Sequence, residues 1–256
     1  MELGLGGRRA LVFGSSAGLG RAVAAALVGE GAAVVVTSRD PERAASTASE
    51  LGAAGSVTVD LTVAGEGGRA VAEAAALLGG LDICVVNTGG GKPGPILATD
   101  GADDAAYASM LRPALEISRA AAPLITNPER PGRLVYLTAR SMVEATPELA
   151  LSSVFRSGVN ALARSLALEL APGATVNVVV TGQFDTGALS RFEAARAEHE
   201  GRTVADVRAD HVAAIPAGRV GRAEELADVV AFLCSDRASF VNGTAIRVDG
   251  GAVKGF

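Results

Sequence analysis

Seven short apolar runs, each followed by a longer stretch of helical character, constrain this chain more than any other feature. They are ALVFG (10–14), AAVVVTS (32–38), SVTVD (56–60), LDICVVN (81–87), RLVYLT (133–138), TVNVVV (175–180) and TAIRVD (244–249). Most are rich in valine, and Gly, Asp or Asn bounds them. A strand with one wet face would alternate apolar and polar residues, whereas continuous runs suit strands buried on both faces of a parallel sheet. The intervening stretches, such as GRAVAAALVGEG and AEELADVVAFLCSD, are rich in Ala, Leu, Glu and Arg. Strand–helix alternation of this kind builds right-handed βαβ units. The expectation is an α/β chain, a Rossmann-type doubly wound sheet of about seven parallel strands with helices on both faces. Residues 1–256 read as one domain, without repeat or linker. The segment 187–215 is polar, helical and longer than a connection needs, which predicts a lid over a site.

Composition excludes several classes of partner. A net charge of −5 without clustered Lys and Arg argues against nucleic acid, because phosphate binding needs concentrated positive charge. The cysteines, Cys84 and Cys234, each fall inside an apolar element, so they read as buried free thiols. No Cys/His cluster has metal-ligand spacing. No uncharged run reaches the roughly 18 apolar residues that span a bilayer. The opening GRRALVFG is a strand entering a glycine turn rather than a leader, and a cytoplasmic location is expected.

The segment LVFGSSAGLGRAVAAAL places Gly14, Gly18 and Gly20 between the first strand and the first helix. Glycines there allow a tight turn and let backbone N–H groups approach a pyrophosphate at the positive end of the helix. Ser16 and Leu19 lie in the same loop. Together these features predict a dinucleotide site.

The spacing G-x-x-x-G-x-G, combined with motifs further along the chain, resembles the short-chain dehydrogenase/reductase family over nearly the whole sequence. VNTGG (86–90) sits where that family has Asn-Asn-Ala-Gly; Asn87 is retained, Thr88 replaces alanine and Gly89 follows. VD (59–60) matches the acidic residue beside the adenine, which implies that Asp60 and its neighbour Leu61 line the cofactor. VNVVVTGQFDT is similar to the family's strand and Pro-Gly-x-x-x-Thr, with Thr181 for proline and with Gly182 and Thr186 kept. The resemblance implies an NAD(P)-dependent oxidoreductase that acts on a small carbonyl or alcohol, assembled as a homodimer or homotetramer.

Cofactor type is argued from the end of the second strand. An acid there would bond a ribose 2′-hydroxyl and repel a 2′-phosphate. TSRD puts Ser38 at that position and Arg39 next to it, and a guanidinium binds phosphate well. NADP(H) is therefore expected over NAD(H). Ala17, where NADP-preferring relatives often carry arginine, and the nearby Asp40 point the other way. Arg39 as an ordinary solvated charge is the competing reading.

The family's reaction centre uses an Asn, a Ser, and a Tyr and Lys four residues apart. Carried over position by position, these fall on Met110, Ala139, Ser152 and Arg156. All four are replaced. A phenol near pKa 10 can be drawn toward neutrality by an ammonium, but a serine hydroxyl is far less acidic, and an arginine at about 12.5–13.8 does not shuttle protons. Ser152 and Arg156 can instead bind and polarise an oxygen. Arg156 could also hold the cofactor's ribose, as the family's lysine does. Thr138 and Ser141 flank the vacant serine position and are further candidates. Tyr136 is expected in the core, and His199 and His211 on a solvated face of the lid. Pro113 should kink its helix, because it cannot bond the carbonyl of Ser109. Two functions stay open: an NADP(H)-dependent oxidoreductase with non-standard catalytic residues, or a cofactor-binding protein without redox activity (pseudoenzyme, sensor or scaffold subunit).

Overall fold

The structure is a computed structural model, and it describes residues 2–254. Seven strands, β1 (Arg9–Val12), β2 (Ala33–Ser38), β3 (Gly55–Thr58), β4 (Ile83–Asn87), β5 (Gly132–Ala139), β6 (Ala174–Thr181) and β7 (Ala245–Val248), form one sheet. Each falls on one of the seven apolar runs. The order is β3-β2-β1-β4-β5-β6-β7, and every neighbouring pair is parallel.

The connecting helices are α1 (Gly18–Gly29), α2 (Pro41–Leu51), α3 (Glu66–Leu78), α4 (Asp103–Met110), α5 (Arg112–Ile125), α6 (Ala150–Glu169), α7 (Gly187–Glu200), α8 (Val204–Ala213) and α9 (Ala223–Cys234). Successive strand residues point to opposite faces, so the continuous apolar runs feed two cores. Val35, Cys84, Val86, Leu134 and Tyr136 pack with α3, α5 and α6 on one face. Val34, Val36, Ile83, Val85 and Val135 pack with α1 and α9 on the other. Cys84 and Cys234 therefore lie on opposite sides of the sheet. Both are free and buried, and burial raises both thiol pKa values, that of Cys234 to about 12.

The order reverses between β1 and β4, so a crevice opens at their carboxyl ends, the place where open parallel sheets bind ligands. As Pro113 predicts, the chain is broken there: α4 ends at Met110, Leu111 intervenes, and Pro113 lies in the first turn of α5. The 187–215 segment forms the paired helices α7 and α8. No helix among the described residues is long and apolar enough to cross a membrane.

Candidate active site

The loop between β1 and α1 is braced from beneath. Thr37 Oγ1 accepts from the Gly14 N–H at 2.9 Å, and Ser15 Oγ accepts from the Thr37 N–H at 2.7 Å while donating to the Val12 carbonyl. Gly14 has φ +60°, a region that suits glycine. A methyl on Gly20 would collide with the Gly14 carbonyl oxygen and lie 2.9 Å from Asn87 Nδ2. Asn87, at the end of β4, donates to that same carbonyl at 3.3 Å. Helix α1 begins with no side-chain cap and no acid in its first turn, so its leading N–H groups remain available to an anion.

This loop forms one wall of a polar cleft of about 930 Å³. Of the residues singled out from the sequence, Gly14, Ser16, Ser38, Arg39, Asp60, Leu61, Asn87, Thr88 and Gly89 line it. Gly18, Leu19, Gly20 and Thr186 do not. Leu19, in the first turn of α1, is half-buried and packs against the core on that side of the sheet. Gly20 is buried beneath the turn. Thr186 caps α7 by accepting from the Leu189 N–H, with its methyl carbon 3.6 Å from where a Cβ on Gly18 would stand. Helix α7 thus starts against the glycine loop.

Sequence reasoning missed five cleft residues with functional chemistry: Thr37, Arg43, Thr62, Ser109 and Arg191. Arg43 follows Arg39 by four residues, but its helix begins between them, and only the Pro41 signal at the first position of α2 could have placed it. Arg191 reaches the cleft from α7. Asp40 caps α2 by accepting from the Arg43 N–H at 3.1 Å. Asp60 accepts from both the hydroxyl and the N–H of Thr62, which together hold its carboxyl below the usual range, with Arg39 adding to the effect.

On the far side of Gly89 lies a second cluster. Ser141 and Ser152 place their hydroxyl oxygens 2.9 Å apart. Arg156, one turn along α6, donates through Nε to Ser152 Oγ at 3.3 Å and through Nη2 to the Gly89 carbonyl at 3.0 Å. Its Nη1 reaches the Leu137 carbonyl at 3.5 Å. Burial alone draws the guanidinium pKa down to about 10. Three of the candidate catalytic residues are thus brought together and the fourth is not. Thr138 turns its hydroxyl back onto the sheet, donating to the Val179 carbonyl at 3.2 Å, so its hydrogen bond is spent on the neighbouring strand.

The remaining expectations divide. Tyr136 is a core residue, hydrogen-bonded to Ser118 at 2.5 Å, and burial pushes its pKa up. Met110 is buried with Ala106 and Leu151. His199 is exposed, but His211 corrects the expectation of a solvated face. It is buried, its Nδ1 lies 2.9 Å from Glu193 Oε1, and its ring stacks on Phe192. The reason is that α7 and α8 pack on each other around a buried carboxylate, Glu193, which Arg208 also contacts at 3.1 Å. Among the described residues no group of His, Cys, Asp and Glu could hold a metal ion.

A glycine cradle that a side chain would fill, free N–H groups at a helix start and a long polar cleft all fit a dinucleotide. Comparison with known proteins decides the family. The profile described as Enoyl-(Acyl carrier protein) reductase matches residues 14–253. The chain belongs to the short-chain dehydrogenase/reductase family of NAD(P)-dependent oxidoreductases. Within this family it is 32% identical to the 3-oxoacyl-[acyl-carrier-protein] reductase of Salmonella typhimurium over 248 residues, covering 96% of this chain and 97% of the relative. It is 30% identical to the sorbitol dehydrogenase of Cereibacter sphaeroides over 250 residues, covering 96% and 98%. The solved structure of L-sorbose reductase from Gluconobacter frateurii, complexed with NADPH and L-sorbose, superposes with a TM-score of 0.90 at 28% identity and full coverage of both chains. The polar cleft lies at the switch point of this short-chain dehydrogenase/reductase sheet, and the serine–arginine cluster adjoins it.

Proposed function

We propose that this short-chain dehydrogenase/reductase is an NADP(H)-dependent oxidoreductase for a small carbonyl or alcohol, in which Ser141, Ser152 and Arg156 replace the family's usual reaction centre. The observation that carries the reading is the hydrogen-bonded line Ser141–Ser152–Arg156 against Gly89, a residue that also lines the cofactor cleft. When bound, the cofactor supplies or accepts a hydride, so that carbonyl, NADPH and a proton give alcohol and NADP⁺. Gly14, Ser16 and the leading N–H groups of α1 would hold the pyrophosphate, and Asp60 and Leu61 would flank the adenine. Thr186 and Arg191 would close on it from α7, the first helix of the lid.

The preference for NADP(H) is supported by Ser38 at the end of β2, with Arg39 and Arg43 beside it on the cleft. Among the described residues neither arginine lies within ion-pair distance of a carboxylate, and Asp40, the acid that follows Arg39, is engaged as the cap of α2. A 2′-phosphate would meet two guanidinium groups.

At the reaction centre Arg156 donates to Ser152, which leaves the Ser152 proton free to point at a substrate oxygen. Such a donor orients and polarises the oxygen, and the proton itself is drawn from solvent. A second reading, a cofactor-binding protein without turnover, is favoured by the lack of any phenol or ammonium in the cluster. One experiment separates the two. The protein contains no Trp, so nicotinamide fluorescence reports binding cleanly. Titration with NADPH and NADH, followed by a carbonyl and alcohol screen, should show tighter NADPH binding and turnover. Tight binding with no turnover across the panel selects the second reading, and no binding of either nucleotide overturns both.

A further inference from the structure

Arg156 is a cation without an anion. Among the described residues no carboxylate forms an ion pair with it, and burial is the sole influence on its pKa. Arg133, buried at the opposite end of β5, shows the usual solution: its Nε and both Nη groups donate to the carbonyls of Pro131, Gly132 and Ser235, with Asp236 at 3.6 Å. A guanidinium has five N–H donors. Arg156 uses three, one of them in a long 3.5 Å contact, so two remain. The residue is half-buried and its contact with the Gly89 carbonyl lies on the exposed side, so a ligand anion can reach a charge that no carboxylate pairs.

We propose that the substrate of this site is a 2-oxo acid or the corresponding 2-hydroxy acid, its carboxylate held by the two free donors of Arg156 and its adjacent carbonyl or hydroxyl oxygen held by Ser152. The spacing follows from Nε of Arg156 lying 3.3 Å from Ser152 Oγ. Oxygens on neighbouring carbons of a 2-oxo acid can meet both residues at once. A carboxylate accepts two parallel N–H bonds in the geometry that a guanidinium presents. Ser141, buried and 2.9 Å from Ser152, fixes the hydroxyl that faces the oxygen. This inference rests on the reading of the cluster as a reaction centre and narrows it. Against a neutral ketone the same arginine would stay uncompensated.

The test measures binding without turnover. Pyruvate, 2-oxohexanoate and phenylpyruvate, each beside its methyl ester, are titrated calorimetrically into the protein alone and into the protein saturated with NADP⁺, which cannot reduce them. The expected result is that at least one acid binds roughly tenfold or more tighter than its ester, a gap of about 1.4 kcal/mol. That gap should vanish in Arg156→Met, shrink in Arg156→Lys, and survive NADP⁺. Equal binding of acid and ester, binding of none of the acids, or displacement of the acid by NADP⁺ overturns the proposal; displacement would assign Arg156 to the cofactor instead. Should Arg156→Met fail to fold, Arg156→Lys and the wild-type acid-to-ester ratio still decide it. Failure of NADP⁺ itself to bind is the separate signature that the oxidoreductase reading is wrong.

Discussion

The polar cleft and the serine–arginine cluster beside it obey different logic. At the β1–β4 end, geometry leaves little choice of residue: Gly14 takes a positive φ, Gly20 lies where any side chain strikes the Gly14 carbonyl, and Asn87 ties the loop to β4. At the β5–α6 side the backbone is equally regular, yet Ser152 and Arg156 stand on a helix whose geometry accepts many side chains. Backbone constraint keeps a cofactor cradle recognisable through its glycines. A reaction centre made of side chains on a rigid helix can be rewritten without disturbing the fold, so its chemistry must be read from the residues themselves.

The largest break in this comparison should come from the cradle. Gly20→Val is expected to raise the NADPH dissociation constant by roughly 100-fold or more, about 2.7 kcal/mol, read by nicotinamide fluorescence. Next is the buried carboxylate that joins α7 to α8. Glu193→Ala leaves His211 and Arg208 without their shared acceptor, and breaking a buried pair of this kind costs about 3 kcal/mol. Calorimetry should show a melting temperature lower by roughly 5 °C or more. Arg39→Leu is a smaller change and sharpens the cofactor end alone: the NADPH-to-NADH affinity ratio should fall by about tenfold, or 1.4 kcal/mol.

The smallest effect concerns the other end. Because burial lowers the Arg156 pKa to about 10, its charged form is disfavoured in the fold. The unfolded chain therefore keeps this proton between about pH 10 and the ordinary arginine value, and stability from this group rises with pH across that window. Arg156→Met should accordingly be at least as stable as the parent at pH 7, with its advantage shrinking above pH 10. Paired chemical denaturation curves across pH check this.

Much of this was legible in the residues. All seven strands fall on apolar runs, because strands buried on both faces leave uninterrupted valine-rich segments. The glycine loop was legible because its backbone demands glycine. Arg191 and Arg43 were not, since they approach the cleft from helices whose orientation depends on tertiary packing. His211 was misplaced for a related reason: α7 and α8 are polar helices, and beside Ala197 and Val207 their buried residues are Glu193 and His211 themselves. Thr138 is close to the site along the chain, but its hydroxyl is taken by the Val179 carbonyl of the neighbouring strand.

Cofactor binding and the serine–arginine cluster are, on this account, separable functions of neighbouring sites. The direct measurement is an NADPH fluorescence titration of the Ser152→Ala/Arg156→Met double variant beside the parent protein. Dissociation constants within about threefold of each other, or 0.7 kcal/mol, are predicted, while binding of the 2-oxo acid is lost. A parallel loss of NADPH affinity would contradict the separation, because Ser152 and Arg156 would then belong to the cofactor and not to the substrate.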